Sequence, residues 1–409
     1  MTVTHAWSGA AGPTSARVKA KVSGGSTRLA VSTDIALTSP LFFGPATPTA
    51  DGMVDFTATG LANDTQYYYG FEIAGALDTS MVGRFHTHKP VGAPYSFTFA
   101  AWACAGSSPV FPASAGLAPQ RISNHPGYDD IRAADPLFTI DMGDKTYYDF
   151  GSGRWVPDYT AATYRAMYDD VLATSRHGRL YRDIAHVYTW SNHDFGQLVP
   201  GDDTTSDGTH PGKANAAQVY RERVPSYPLV EVTGPIYHSF QVGRLLVVVT
   251  DSRYNRSNVN DPAPRTMYGP AQMAWLEDLL TTKADDPGVK ALCWVSDQPS
   301  SSGGGASWGV FPEERDHIYG LFTDHGWVNR MFEIAGDQHQ LGFDTGTHTA
   351  GFPLYTLASM DSNSGGAGGG YDIGTFVDNV NRGHYGLITI EDPGGTFLRW
   401  DARGYSYHA

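Results

Sequence analysis

The sequence predicts an α/β layered domain preceded by a small all-β sandwich, and three observations carry that reading. From residue 95 onward, apolar strand-like runs alternate with segments of helical spacing, the order that lays helices on the faces of a sheet. Residues 1–90 instead show short runs of alternating apolar and polar residues, with turn signals about every ten residues. The 409-residue chain also carries 47 glycines and 25 prolines, which favours many turns over long helices. A chain of this length exceeds what one core usually serves, so two domains are expected, 1–90 and 95–409. Residues 89–94, Lys-Pro-Val-Gly-Ala-Pro, read as the linker between them.

In the N-terminal part, residues 16–22 and 28–32 alternate as half-buried strands do, and 53–58, 66–73 and 81–87 complete the set. The segment 60–69 resembles the Leu-x-Pro-x-Thr-x-Tyr corner of fibronectin type III domains, so a fibronectin-like or immunoglobulin-like sandwich is expected. His86 and His88 sit close together on the last strand and are expected as plain surface.

The second domain reads as strands whose ends carry polar groups. Residues 95–104 run into Ala103-Cys104-Ala105-Gly106-Ser107. Residues 137–144, apolar at Phe138, Ile140 and Met142, end in Gly143-Asp144, with Tyr147 and Tyr148 just beyond. Helical spacing follows over 159–176, then a strand over 186–194 tipped by Asn192-His193-Asp194. A long polar loop, 197–214, leads to a helix at 216–223. Residues 235–242 and 244–253 pair around Gly243, and the second ends in Asp251-Ser252-Arg253. An amphipathic helix spans 271–283, and a strand over 289–298 ends in Asp297-Gln298 before a glycine-rich loop at 300–306. A helix at 312–325 precedes a strand over 328–339 ending in Gly336-Asp337-Gln338-His339. A second glycine-rich loop covers 365–370, and a hairpin joins 385–390 to 396–400 around Asp392-Pro393-Gly394-Gly395.

Composition narrows the function. The net charge of −14, from 28 Lys plus Arg against 42 Asp plus Glu, repels nucleic acid, and no basic stripe offsets it. An anionic substrate would therefore need a local positive charge, such as a bound metal ion. No apolar run reaches the length of a membrane span. The first residues lack a secretory signal, so the chain is expected either as a secreted or periplasmic protein written without its signal or as a cytoplasmic one. Two cysteines, Cys104 and Cys293, make no disulfide framework, and Cys293, mid-strand, is expected as a buried hydrophobe.

Five strand ends thus carry chemically able groups: Cys104; Asp144 with Tyr147; Asn192-His193-Asp194; Asp297-Gln298; and Asp337 with His339. In open α/β sheets ligands bind past the carboxyl ends of strands. Thiolate, phenolate and carboxylate suit a hard trivalent ion, whereas Asn and carboxylate oxygens suit Ca²⁺, Mg²⁺ or Mn²⁺. Asp144, central in the order, is the natural bridge, and two ions roughly 3.5–4 Å apart form a clamp for phosphoryl transfer. Tyr148 is expected to pack and Asp149 to be solvated. Trp190 and Trp308 are expected in the core or lining a pocket, and Lys145 holding substrate or facing solvent.

This order of strand ends resembles the calcineurin-like metallophosphoesterases. Cysteine in place of the usual first Asp-x-His, and tyrosine three residues after the Gly-Asp aspartate, are similar to the PhoD-type alkaline phosphatases and phosphodiesterases. Asp251-Ser252-Arg253 resembles that family's Asp-x-Arg strand end, and Tyr268-Gly269-Pro270-Ala271-Gln272 with Trp275-Leu276 resembles its helix start. The resemblance implies a four-layer αββα fold that hydrolyses phosphate esters with a metal-activated hydroxide. It implies iron(III) at Cys104, Asp144, Tyr147 and His339, and calcium (or Mn, Mg or Zn in its place) near Asp144, Asn192 and Asp337. Arg253 and His193 would contact the phosphoryl group, with Gln298 a neighbour, so Asp144, Asn192, His193 and Arg253 are the expected catalytic set. The substrate would be a small phosphate ester, nucleotides and phospholipids included. The chain departs from the family at Ser191-Asn192-His193-Asp194, where Asp-Asp-His-Glu is usual, and at Gln340, where a second histidine is usual. Two alternatives follow: a phospholipase-D-like phosphodiesterase, and a surface protein that keeps the fold and metal without hydrolysis.

Overall fold

The computed structural model describes residues 2–106, 122–149, 159–197, 203–303, 307–362 and 370–408. Ser107 and parts of the expected loops at 197–214, 300–306 and 365–370 lie outside the described residues. Seven strands open the chain: β1 (Val3–Gly9), β2 (Ser15–Val22), β3 (Thr27–Ser32), β4 (Leu41–Ala46), β5 (Met53–Thr59), β6 (Gln66–Ile73) and β7 (Ala76–His86). Sheet β4-β3-β6-β7 faces β1-β2-β5, and Val18, Leu29, Val31, Phe56, Tyr69 and Phe71 fill the space between. The tyrosine corner forms, with Ala62 N donating to Tyr67 Oη at 2.9 Å. His88 corrects the surface expectation. It is buried, its backbone bonds Gly12 and Asp64, and its ring lies 6.1 Å from Phe138.

The next strands are β8 (Phe97–Trp102), β9 (Phe138–Asp141) and β10 (His186–Tyr188), and the hairpin strands are β18 (Tyr385–Glu391) and β19 (Arg399–Tyr405). They run on from the sandwich, giving the eight-stranded order β19-β18-β8-β9-β10-β1-β2-β5. β1 joins β10 in parallel through Gly9 and His186. A side chain at Gly9 would meet Pro225 O at 2.4 Å and His186 O at 2.6 Å, so only glycine permits that approach. The second sheet comprises β11 (His238–Val242), β12 (Leu245–Val249), β13 (Ala291–Ser296), β14 (Met331–Ala335), β15 (Leu341–Asp344), β16 (Leu354–Leu357) and β17 (Gly374–Phe376). Its order is β11-β12-β13-β14-β16-β15-β17.

Phe99, Ile140, Val247, Cys293, Ile334 and Ile388 pack between the two sheets. Continuous apolar runs such as Leu245–Val249, buried at every position, are what strands covered on both faces require. Helices α1 (Gly127–Ala133), α2 (Ala161–Leu172), α3 (His177–Asp183), the single turn α4 (Asn192–Phe195) and α5 (Lys213–Arg223) belong to the first sheet's side. Helices α6 (Gly269–Ala284) and α7 (Pro312–Asp324) cover the second. The four layers are helix, sheet, sheet, helix, as expected. The parallel registers align the carboxyl ends: Trp102 pairs with Asp141 and Tyr188 also with Asp141, while Val249 pairs with Val295 and Ser296 with Ala335. All five polar strand ends therefore emerge at one edge.

Candidate metal centre

The loops at that edge are held in an uncommon backbone conformation. Cys104, Asp144, Asp337 and His339 all have positive φ, at 58°, 56°, 63° and 51°. Left-handed non-glycine residues cost about 1–3 kcal/mol each and persist where neighbours over-determine them. The bonds that impose the conformation are visible. Cys104 N donates to Gly143 O at 3.0 Å, and Ala105 N donates to Asp144 O at 2.7 Å. Asp194 caps the short turn α4 with Ser191 and reaches back to the Asp144 loop. Its Oδ2 accepts from Asp144 N at 2.5 Å and its Oδ1 from Thr146 N at 3.3 Å. Gly143 and Gly336 allow the close approach: a Cβ on the first would sit 2.4 Å from Ser191 N, and on the second 2.5 Å from Ala103 Cβ.

These loops converge on one cluster. Donor atoms of Cys104, Asp144 and His339 all lie within 4.8 Å of one another. Tyr147 joins them, its Oη 3.5 Å from Asp144 Oδ2 and 3.0 Å from His339 Nε2. Cys104 Sγ is 3.8 Å from Asp144 Oδ2. Burial, reinforced by the neighbouring acids, pushes the Cys104 thiol, the Tyr147 phenol and the Asp144 carboxyl up from their usual ranges. Acids crowded this way ionise together only around a cation, and a coordinating thiol is deprotonated outright. A thiolate, a phenolate, a carboxylate and an imidazole carry three negative charges, which matches a hard trivalent ion such as iron(III).

The remaining predicted residues surround this cluster. His193 donates its backbone N–H to Asp144 Oδ1 at 3.1 Å, and its ring stands 4.1 Å from that of Tyr147. Its Nδ1 lies 2.8 Å from Asp149 Oδ1. Asp149 is therefore buried against a histidine and not solvated, a correction to the sequence expectation. Asn192 is buried, with Oδ1 accepting from Ser191 Oγ at 3.0 Å. The Arg253 guanidinium is fully buried, clamped by Asp297 Oδ2 at 2.9 and 2.7 Å, and 3.9 Å from Asp337 Oδ1. Gln298 is buried at the same edge.

Asp297 and Asp251, named in the sequence only as strand ends, serve as supports. Asp297 also accepts from Ser191 Oγ at 3.1 Å and from Ser252 Oγ. Asp251 gathers Trp190 Nε1 at 2.8 Å, Ile236 N at 2.9 Å and Arg253 N at 2.9 Å. Residues 359–362 close over the cysteine: Asp361 N and Ser362 N both donate to Cys104 O at 3.2 Å, and Gly106 N donates to Ser362 Oγ at 3.2 Å. Ser362, two residues past a buried Met360, carried no sequence signal. Trp190 and Trp308 are core residues, packed on Phe195 and Tyr220 and on Tyr268 and Trp294 respectively. Lys145 neither faces solvent nor reaches the ligand cluster. It is buried between Tyr168 and Tyr188, and burial lowers its pKa to about 8.

Comparison with known proteins identifies the family and the fold. The family model described as PhoD-like phosphatase matches residues 123–345. A solved structure of PhoD covers 98% of this chain, and 90% of that chain is covered, at 16% identity and a TM-score of 0.74. The purple acid phosphatase PPD1 from yellow lupin (Lupinus luteus) seeds covers 99% of this chain, with 73% of its own length covered, at 11% identity and a TM-score of 0.64. At such identities these two likenesses show a shared fold. No curated protein matches the sequence.

Proposed function

The chain belongs to the PhoD-like phosphatase family and is a phosphoric ester hydrolase, and we propose that it is an alkaline phosphatase or phosphodiesterase working at a two-metal site. Iron(III) is assigned to Cys104, Asp144, Tyr147 and His339, and a divalent ion, calcium by preference, to Asp144, Asn192 and Asp337. The observation that carries the assignment is the convergence of Cys104, Asp144 and His339 within 4.8 Å, with Tyr147 Oη beside them. When bound, the two ions supply the positive charge that acidifies the attacking water and offsets the charge on the phosphoryl oxygens.

The chain's own residues do the rest. Asp149 takes His193 Nδ1, which orients the ring and assigns Nε2 to the substrate's oxygens. Asp297 fixes the plane of Arg253, so the guanidinium adds fixed positive charge beside Asp337, where a phosphoryl group would sit. Gln298, on the same strand end, is the remaining polar neighbour. The acidic exterior, net −14, makes this local charge the feature that draws an anionic ester in.

Metal analysis of the purified chain, beside a panel of phosphate mono-, di- and triesters, tests the reading. Iron with a second metal near stoichiometric amounts, and a visible band from thiolate and phenolate on iron(III), are expected. Cys104→Ala should lose the iron, the colour and at least 100-fold in kcat/KM, a magnitude on the order of losing one strong transition-state contact. Full activity in an iron-free Cys104→Ala variant would refute the ligand assignment. The panel also separates a phosphatase from a phospholipase-D-like enzyme by comparing a nitrophenyl monoester with its bis-ester and with a phospholipid.

A further inference from the structure

Lys145 follows Asp144 directly, yet its side chain turns away from the ligands and is only 1% exposed. Its Nζ lies 3.8 Å from the ring centroid of Tyr168 on α2 and 3.7 Å from that of Tyr188 on β10. The two rings meet edge-on at 90° and form a cation-binding corner. The nearest carboxylate is Asp194, also buried, with Oδ1 at 3.9 Å. Asp194 ties the two site loops together. It accepts from Asp144 N, Thr146 N and Thr146 Oγ1 on one loop and from Ser191 N on the other. Lys145 Nζ, enclosed in the same buried space 3.9 Å from Oδ1, is placed to offset the cost of burying the Asp194 side chain that makes these bonds.

We propose that Lys145 is a positioning residue of the metal centre: as the fixed counter-ion of Asp194, it holds Asp144 in the left-handed pose from which its carboxylate meets Cys104 and His339. The inference rests on the metal-site reading above. Its sign makes it testable. A lysine acting only through its field repels the metal, so removing it would tighten metal binding; a lysine acting through Asp194 holds the site open, so removing it weakens binding.

The test takes the full chain as wild type, Lys145→Met, Asp194→Asn and the double variant. Each is stripped with a chelator and titrated with iron(III) nitrilotriacetate, following visible absorption and the iron retained after gel filtration. Lys145→Met is expected to bind iron at least tenfold more weakly, with a weaker visible band. The double variant, with no orphaned charge, is expected to bind at least as tightly as either single variant. Unchanged or tighter binding by Lys145→Met, with wild type taking up iron, overturns this inference alone. A double variant that binds more weakly than both singles, or does not fold, overturns it as well. Wild type that takes up no iron overturns the metal reading itself and this inference with it.

Discussion

At the scale of single residues, the site is built on backbone that side chains resist, and Gly143 is where that resistance is sharpest. Its φ of 101° and the 2.4 Å approach of Ser191 N leave no room for a Cβ. Gly143→Ala should therefore cost about 2 kcal/mol or more in urea unfolding, from left-handed strain plus a backbone clash. It should also displace Asp144 and remove most of the phosphatase activity. Wild-type stability and turnover in that variant would show that the loop yields to the added methyl group. The residues legible in the sequence were those whose type is itself a signal at a strand end: Cys104, Asp144, Tyr147, Asp337 and His339, whose side chains the fold brings to one edge. Asp149 and Lys145 were misread because charge in a loop says nothing of burial. Their partners, His193 in one case and Asp194 with two tyrosines in the other, come from distant positions in the chain.

At the scale of elements, strand ends are fixed from outside by helices and turns. Asp251, just past β12, accepts from Trp190 Nε1, Ile236 N, Arg253 N and Tyr254 N, and Gln272 of α6 clasps its backbone at 2.9 and 2.8 Å. Asp251→Ala leaves buried donors from three segments without an acceptor, each worth about 1–3 kcal/mol. A loss of about 3 kcal/mol in stability is expected, together with a lower kcat as Arg253 loses its anchor. A drop below about 1 kcal/mol in a denaturant series would contradict this. Elements with strong patterns were read within a few residues: β2, β3, β5 and β6 by alternation, α6 and α7 by helical spacing, and β18 with β19 by their turn. Strand β1 was missed because it is buried at six of its seven positions and shows no alternation. Strand β4 was missed because it lies exposed at the sheet edge, and α3, which begins just past the helical run read over 159–176, because seven residues carry too little periodicity. Strands β15 to β17, three or four residues each, exist through pairing with one another and not through local propensity.

At the scale of the whole molecule, the sandwich and the catalytic layers share a sheet and a half-buried charge network. Trp7 of β1 stacks on Tyr181 at 5.2 Å and donates to Arg223 O at 2.9 Å, inside the helical core. Lys21 meets Asp169 at 2.6 Å, and Lys19 donates to Glu222 O at 3.1 Å. Expressing residues 95–409 alone should therefore give an insoluble or molten chain, because β10 loses its neighbour and Arg223 loses Asp51; a cooperative melt from that fragment would show the two parts to be independent. The same extensive burial governs the response to acid. Burial lowers the pKa of His88 and His177 to about 3, of His125, His210, His238 and His384 to about 4, and pushes His186 well down. In the unfolded chain these imidazoles protonate near their ordinary value of about 6.5. Between about pH 6.5 and pH 4 the unfolded state thus binds more protons, so stability falls as pH falls, by up to about 1.4 kcal/mol per pH unit for each histidine. Buried carboxyls work in the opposite sense, since the folded state holds their protons first: Asp141 is raised to about 7, Glu333 to about 8 and Asp144 well above its usual range, with Asp130, Asp149, Asp251 and Glu314 also raised. The seven strongly shifted histidines outnumber the three strongly raised carboxyls, so the urea midpoint should drop from pH 6.5 to 4.5. A midpoint that stays level or rises over that interval would mean that the buried imidazoles already carry their protons in the native fold.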